Sequence, residues 1–451
     1  MEYPMDFFTN ARNLQVRSGS GYDQGSHVYS HHHVHPFQVS YDLPSTPQPR
    51  PQKLKLENLD KRIQRELESL RDILKDDARR RALIDLKGDE AQYKLDLLQL
   101  LLELTDEKDM RTRIRKVLTR LSKNSNCAPR CLIIREIVPL GDHPIGGGGF
   151  GDVWKGVFGD SETGQVECAI KIGRVYVDQD GVDEYEKALK GHLQEALLWA
   201  QLKHPNVLPF LGMFYRDRSE KELCLVSPYM KNGNLAKFLK RTSPEEIDSH
   251  SLIYDITSGI EYLHSEDIVH GDLKDLNILI KGDGIRAYAC ICDFGLSRLA
   301  MTYGLGLTTS QRGMAPFGYV APEVMFGQLP SKESDMYSYG RLCFSILSKL
   351  YNLPPSINQN SPPPRPNNVP EDKDWLWTLF CECWKQDAST RPTVQDALQR
   401  VIAVNVEVSK APYWDESLHS KIRNNVDIYP LLNHLTVSSR NPGSHAPQEE
   451  E

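Results

Sequence analysis

The chain has 451 residues, of which 39% are hydrophobic and 25% charged, with a formal net charge of −7 and a mean hydropathy of −0.48. That length holds about three domains of ~150 residues, or one large enzyme unit with appended segments. The acidic balance excludes the basic footprint of a nucleic-acid or membrane-surface binder, and the low apolar share predicts disordered ends around an ordinary core. The nine cysteines, an odd number without metal-ligand spacing, read as small buried side chains of a reduced protein. The richest leucine run, Leu95 to Leu104, is interrupted by Asp96, Gln99 and Glu103 and is half the ~20 residues of a membrane span. The opening Met-Glu-Tyr-Pro-Met-Asp lacks the basic-then-apolar order of a signal peptide. The expectation is a soluble cytoplasmic protein, the nucleus left open, with no membrane span and no nucleic-acid partner.

In chain order, residues 1–52 are rich in Pro, Ser, Gln and His without apolar periodicity and read as a disordered tail, the cluster His31, His32, His33, His35 included. Residues 53–125 form a helical module. Leu56, Leu59, Ile63, Leu67, Leu70 and Leu74 step by three or four and share one helix face. A second helix starts near Asp89, with leucines too many for one stripe, so burial on several sides is expected. A third follows Thr105-Asp106 as a cap and presents Met110, Ile114, Val117, Leu118 and Leu121. These helices either bind a partner or pack within the chain. From Leu132 short β-branched runs alternate with turns to about Ser227, and helical patterns then run to about Val404. Strands first and helices after predict a bilobal α+β unit. The segment 405–451 reads as a mostly disordered tail.

The chemistry-bearing residues begin at Gly146-Gly-Gly148-Gly-Phe-Gly151. Glycines let backbone N–H groups approach phosphate oxygens without a Cβ in the way. The next residues, Asp-Val153-Trp-Lys-Gly-Val-Phe, are β-rich, so a hairpin over a nucleotide fits better than a dinucleotide-binding turn, which needs a helix there. Cys168-Ala-Ile-Lys171 places a lysine in an apolar strand, where it needs an anion, and Glu195 in the helical stretch Leu193 to Leu202 is its expected partner. In His270-Gly-Asp272-Leu-Lys274-Asp-Leu-Asn277, the five-residue spacing around one loop can set one of Asp272 and Asn277 by a nucleophile and the other by a metal, with Lys274 as a cation for a transferring phosphate. Asp293-Phe-Gly295 adds a carboxylate for Mg²⁺, which takes hard oxygen ligands. Ala321-Pro-Glu323 closes the segment.

Over about residues 135–404 these motifs, six in one order, resemble the eukaryotic protein kinases, a family that serves as a general template for phosphoryl transfer. The resemblance implies a protein-kinase fold, with a small β-rich lobe and a large helical lobe, that uses ATP and Mg²⁺ on protein substrates. It implies that Lys171 holds the α- and β-phosphates and pairs with Glu195, that Asp272 accepts the substrate hydroxyl proton and that Lys274 steadies the γ-phosphate. Asn277 and Asp293 would hold the metal. Gly146, Gly148, Gly151, Val153, Ala169 and Leu279 would join Lys171 around the nucleotide. Pro228-Tyr229-Met230 looks like the hinge at the adenine edge, with Ser227 guarding the pocket behind it. Glu323 would pair with Arg391, and Asp335 would brace the catalytic loop.

The loop Asp272-Leu-Lys274-Asp-Leu-Asn277 looks like the Ser/Thr type. Cys383-Trp384 before Arg391-Pro, and Leu-Lys-His204-Pro-Asn, are similar to the tyrosine-kinase-like branch, and His-Gly-Asp-Leu-Lys resembles the large set of such kinases in mushroom-forming fungi. There are two departures. Gly271 stands where an arginine usually grips a phosphorylated activation segment, which removes that anchor for Thr308, Thr309 or Ser310. Pro316-Phe-Gly-Tyr-Val320 replaces the usual Trp-Met pattern of the substrate-docking loop. The competing reading is a pseudokinase or scaffold acting through the 53–125 helices, although Lys171, Asp272 and Asp293 are all present.

Overall fold

The computed structural model describes residues 56–134, 137–148, 151–158, 165–173, 182–216, 223–282, 286–295, 298–299, 318–353, 364–404 and 411–415. The expected N-terminal tail lies outside them, as do the glycine-loop tip Gly149-Phe150, the hydroxyl cluster Thr308-Thr-Ser310, and Pro316 and Phe317. The chain divides into two compact units, whose described parts are residues 56–134 and 137–415.

The first unit is helical: α1 (Leu56–Lys75), α2 (Asp77–Ile84), α3 (Gly88–Leu104) and α4 (Lys108–Ser125). The leucine stripe of α1 ends with Leu67, Leu70 and Leu74 buried. Asp76 then starts α2, its Oδ1 accepting the N–H groups of Ala78 (2.9 Å) and Arg79 (3.1 Å), a side-chain cap that satisfies the orphan donors of a helix start. Leu95, Leu97, Leu98, Leu101 and Leu102 of α3 are all buried, so α3 does pack over a wide arc. Thr105-Asp106 does not cap α4 as expected. Thr105 instead closes α3, donating its N–H to Leu101 O, and Glu107 precedes α4 without a side-chain cap bond. The apolar face of α4 is buried as its spacing predicts. Buried Asp96 accepts both the N–H and the Nε–H of Arg130, each at 2.7 Å, fixing the turn after α4 to α3. No helix among the described residues is long and apolar enough to cross a membrane.

The second unit has the expected order of strands, then helices. β1 (Val138–Leu140), β3 (Gly151–Phe158), β4 (Val166–Ile172), β6 (Leu223–Pro228) and β5 (Gly212–Tyr215) follow one another across an antiparallel sheet, with β2 (Gly146–Gly148) paired to β3. β6 is buried along its whole length, which explains a continuous apolar run where an exposed sheet face would alternate. Helix α5 (Val182–Trp199) interrupts the strands between β4 and β5.

The large lobe adds α6 (Leu235–Arg241), α7 (Ser249–Ser265), α8 (Pro322–Met325), α9 (Lys332–Tyr351), α10 (Asp374–Cys383) and α11 (Val394–Ala403). Two small antiparallel pairs, β8 (Ile278–Lys281) with β9 (Tyr288–Ile291) and β7 (Ile268–Val269) with β10 (Arg298–Leu299), carry the loops of the site. Its core centres on α9 against α10, where Phe344, Trp377, Phe380 and Trp384 make tilted and edge-on ring contacts, the geometry aromatic quadrupoles favour. Within the C-terminal segment expected as a tail, residues 411–415 dock on this unit. The Trp414 Nε1–H donates to His204 O (3.2 Å), and Lys281 Nζ lies 3.8 Å from the Trp414 ring centroid.

Candidate active site

The glycine hairpin pairs Gly146 with Val153, Gly147 with Asp152 and Gly148 with Gly151. A strand, not a helix, follows the glycines, which removes the dinucleotide-binding alternative. Gly151 has φ +144°, and a Cβ there would fall 2.2 Å from Ile172 O, so only glycine lets β3 lie this close to β4. Across the sheet Val153 faces Lys171, and Ala169 faces Ser227. Directly paired residues share a sheet face, as do residues two apart on one strand. Gly151, Val153, Ala169, Lys171 and Ser227 therefore line a single face. Tyr229 lies two residues after Ser227, its N–H donating to Glu167 O (3.4 Å), and Met230 opens the turn closed by Gly233 N–H to Met230 O (3.0 Å). Leu279 comes from the other lobe, on β8, bridged to Asn234.

Lys171 is the meeting point. Its Nζ lies 2.7 Å from Glu195 Oε1 on α5 and 2.6 Å from Asp293 Oδ1 after β9. The sequence pointed to the first partner and not to the second. Burial opposes the charge on Lys171, but the carboxylates of Asp293 and Glu195 outweigh it and hold its pKa above the ordinary value. One ammonium cannot serve two carboxylates equally. Burial raises the pKa of Glu195 against the pull of Lys171, whereas for Asp293 Lys171 overcomes burial and lowers it. Asp293 adopts φ 68°, a left-handed conformation that Asp tolerates better than most residues.

The catalytic-loop residues converge on Asp272. Lys274 Nζ donates to its Oδ2 (2.6 Å), and Asn277 Nδ2 donates to the same Oδ2 (2.9 Å) and to its main-chain O (2.8 Å). Burial raises the pKa of Asp272, with Lys274 pulling the other way. The loop is held from beneath by Asp335 on α9, which accepts the N–H groups of His270 (2.8 Å) and Gly271 (2.9 Å) and lies 3.0 Å from His264 Nε2. Gly271 has φ 78°, so an arginine there would add backbone strain in this conformation.

A chain of rings joins α5 to this loop. Phe210 contacts Trp199 at 5.3 Å between centroids, Trp199 contacts Phe294 at 5.7 Å, and Phe294 contacts His270 at 5.5 Å. The sequence carried a signal for this linkage. Trp199 follows Glu195 by one turn of the same helix, and Phe294 follows Asp293 directly.

Asn277 spends its amide hydrogens on Asp272, which leaves its Oδ1 as the atom able to face a cation. Asp293 offers a carboxylate in a triad of one positive and two negative groups. Among the described residues no three His, Cys, Asp or Glu side chains are arranged to hold a metal by themselves. Two hard oxygen donors fit a small divalent cation that completes its shell with phosphate and water.

A family described as protein tyrosine and serine/threonine kinase matches residues 141–401. The chain belongs to this family. Its relatives include tyrosine-protein kinase Abl of Drosophila melanogaster, 29% identical over 267 residues, which are 56% of this chain and 15% of that protein. Mitogen-activated protein kinase kinase kinase 11 of Rattus norvegicus is 31% identical over 298 residues, 61% of this chain and 32% of the relative. Stress-activated protein kinase alpha of Dictyostelium discoideum is 28% identical over 286 residues, 58% and 41%. The similarity thus spans less than half the length of each of these relatives. Tyrosine and mitogen-activated types stand side by side among them, as the tyrosine-kinase-like resemblance implies.

Proposed function

We propose that this kinase-family chain transfers the γ-phosphate of Mg-ATP to serine and threonine hydroxyls of intracellular protein substrates. The observation that carries the reading is the convergence of Lys274 and Asn277 on the Asp272 carboxylate. In this reading Asp272 takes the substrate hydroxyl proton. Its raised pKa moves it toward the working pH, which suits a general base. Lys274, within reach of Asp272, meets the charge that develops on the transferring group, and Lys171, oriented by Glu195, holds the α- and β-phosphates. Val153, Ala169, Ser227, Tyr229, Met230 and Leu279 enclose the base, and the Gly146–Gly151 hairpin covers the phosphates. Asn277 and Asp293 would hold Mg²⁺, which when bound neutralises phosphate charge. The Ser/Thr preference rests on Lys274 itself, in the loop pattern of that type.

The test is radiolabelled ATP with a generic acceptor protein, followed by phosphoamino-acid analysis. Label in phosphoserine and phosphothreonine is expected, and label confined to phosphotyrosine would overturn the preference. Asp272→Asn should lower turnover ~10²–10⁴-fold in a folded protein. Retention of more than roughly a tenth of normal turnover, well above that range, would remove Asp272 from the role.

A further inference from the structure

Gly173, the residue after β4, and His192 on α5 fit together in a way that the roles above do not use. A Cβ on Gly173 would fall 1.7 Å from His192 Cε1, 2.1 Å from Nε2 and 2.7 Å from Nδ1. The imidazole therefore occupies the space that any side chain at 173 would need. Backbone conformation does not explain the glycine, because Gly173 is not among the residues with positive φ. The space it leaves for the imidazole is a physical reason for it.

The placement repeats the active-site contact one step along. Gly173 lies two residues beyond Lys171, hence on the same side of an extended chain. His192 lies three residues before Glu195, hence on the same face of the helix. The helix and strand thus meet twice, at Lys171–Glu195 (2.7 Å) and at Gly173–His192. One contact leaves a helix free to roll about it, and a second fixes the roll. Leu193, Ala196 and Leu197, all fully buried, pack the neighbouring faces.

We propose that His192 is a positioning residue, its ring seated on Gly173 to set the rotation of α5 at which Glu195 meets Lys171. The proposal rests on the kinase reading only for its effect on turnover. Burial first, and then the charge of Lys171, push the His192 pKa down to about 4. The ring is therefore neutral at pH 7 and can sit near the ammonium without competing for the carboxylates.

The experiment uses the full chain as wild type, Gly173→Ala, His192→Ala and the double variant. It reads kcat and KM for ATP, thermal midpoint, and amide hydrogen exchange in peptides covering 189–199. The alanine at 173 should push the ring and helix outward, lowering kcat ~10-fold or more, since a 1 Å misplacement can cost as much as ~100-fold. Exchange over 189–199 should rise while the thermal midpoint stays close to wild type. His192→Ala alone should lose the second contact, with a lower kcat and faster exchange over 189–199 but less change than in Gly173→Ala, and the double variant should match it. A His192→Ala indistinguishable from wild type would overturn the positioning role. Wild-type turnover and exchange in Gly173→Ala, or a double variant as impaired as Gly173→Ala, would overturn the proposal. If Gly173→Ala does not fold, the double variant decides. A folded, active double variant shows that methyl and ring compete for one space, and an unfolded one shows that Gly173 serves the backbone. Should wild type transfer no phosphate, the kinase reading fails on its own and the exchange comparison still judges the placement.

Discussion

Lys171 and Arg391 are both cations taken out of water and met by carboxylates, but their surroundings are completed differently. Arg391, with no exposed side-chain surface, makes a two-point pair with Glu323 at 2.6 and 2.8 Å. Its remaining donors reach the carbonyls of Lys385 (2.9 Å), Glu333 (2.9 Å) and Gln386 (3.3 Å). Every N–H of the guanidinium fork has an acceptor, and one positive charge meets one negative charge. At Lys171 one positive charge meets two carboxylates, and Asp293 keeps 24% of its side-chain surface exposed. The first arrangement is closed and charge-balanced, as a structural brace should be. The second carries surplus negative charge at a partly open edge, as a site that admits a cation and its phosphates should.

This difference predicts opposite signatures for the two lesions. Lys171→Met should remove a transition-state donor, lowering kcat by at least ~10²-fold. Its thermal midpoint should fall less than that of an Arg391 variant, because once the lysine is gone water can reach Asp293 and Glu195, whose pKa burial already raises, can take up a proton. Steady-state kinetics beside a thermal melt measures both quantities, and a variant that is unfolded but fully active per folded molecule would break the comparison.

Arg391→Ala should do the reverse. Stranding Glu323 inside the large lobe costs ~3–5 kcal/mol, and a fall in thermal midpoint of roughly 10 °C is expected for a domain of this size. Turnover per folded molecule should change little. A large kcat loss at constant stability would mean that the Glu323–Arg391 pair belongs to the site and not to its support.

How much of this could be read from the sequence depended on whether a feature is local. The strand-then-helix order, the apolar stripes of α1 and α4, and the hairpin after Gly146 follow from periodicity or from the character of the next few residues. The short helix α2 was not legible, because it has little apolar periodicity and only Leu83 of it is buried. Its start depends on the cap at Asp76. The Thr105-Asp106 pair was legible as a boundary and assigned to the wrong helix, since the same residues can end one helix or begin the next. In the site, Lys171, Glu195 and Asp272 were found through motif order. The Lys171–Asp293 contact joins residues 122 apart, and the Gly173–His192 fit joins two residues that carry no motif. Both are properties of the assembled lobes, and pattern along the chain does not contain them.

A third buried carboxylate sharpens the comparison with the smallest expected effect. Asp255 on α7 is fully buried, and its Oδ2 accepts the Ala289 N–H at 2.9 Å, joining α7 to β9. Asp335, by contrast, accepts two backbone N–H groups and lies beside His264. Burial is the largest influence on Asp255 and pushes its carboxyl up to about 7, against the Ala289 N–H and the neutral Asn206 side chain, with Asp248 adding to the rise. In the unfolded chain an aspartate titrates near ~3.9. Below that value both states are protonated and Asp255 has no effect on stability. Between about 4 and 7 the unfolded state gives up the proton while the folded state keeps it, so stability falls as pH rises. Above 7 both states are charged and the loss is complete. Asp255→Asn keeps a carbonyl oxygen for Ala289 and cannot titrate. Its stability relative to wild type should therefore increase from pH 5 to pH 8, by ~2–4 kcal/mol, and then level off. Urea unfolding of both proteins across that range measures the gap. A gap independent of pH would mean that Asp255 is ionised in the fold throughout, and that burial without an opposing cation does not hold its proton.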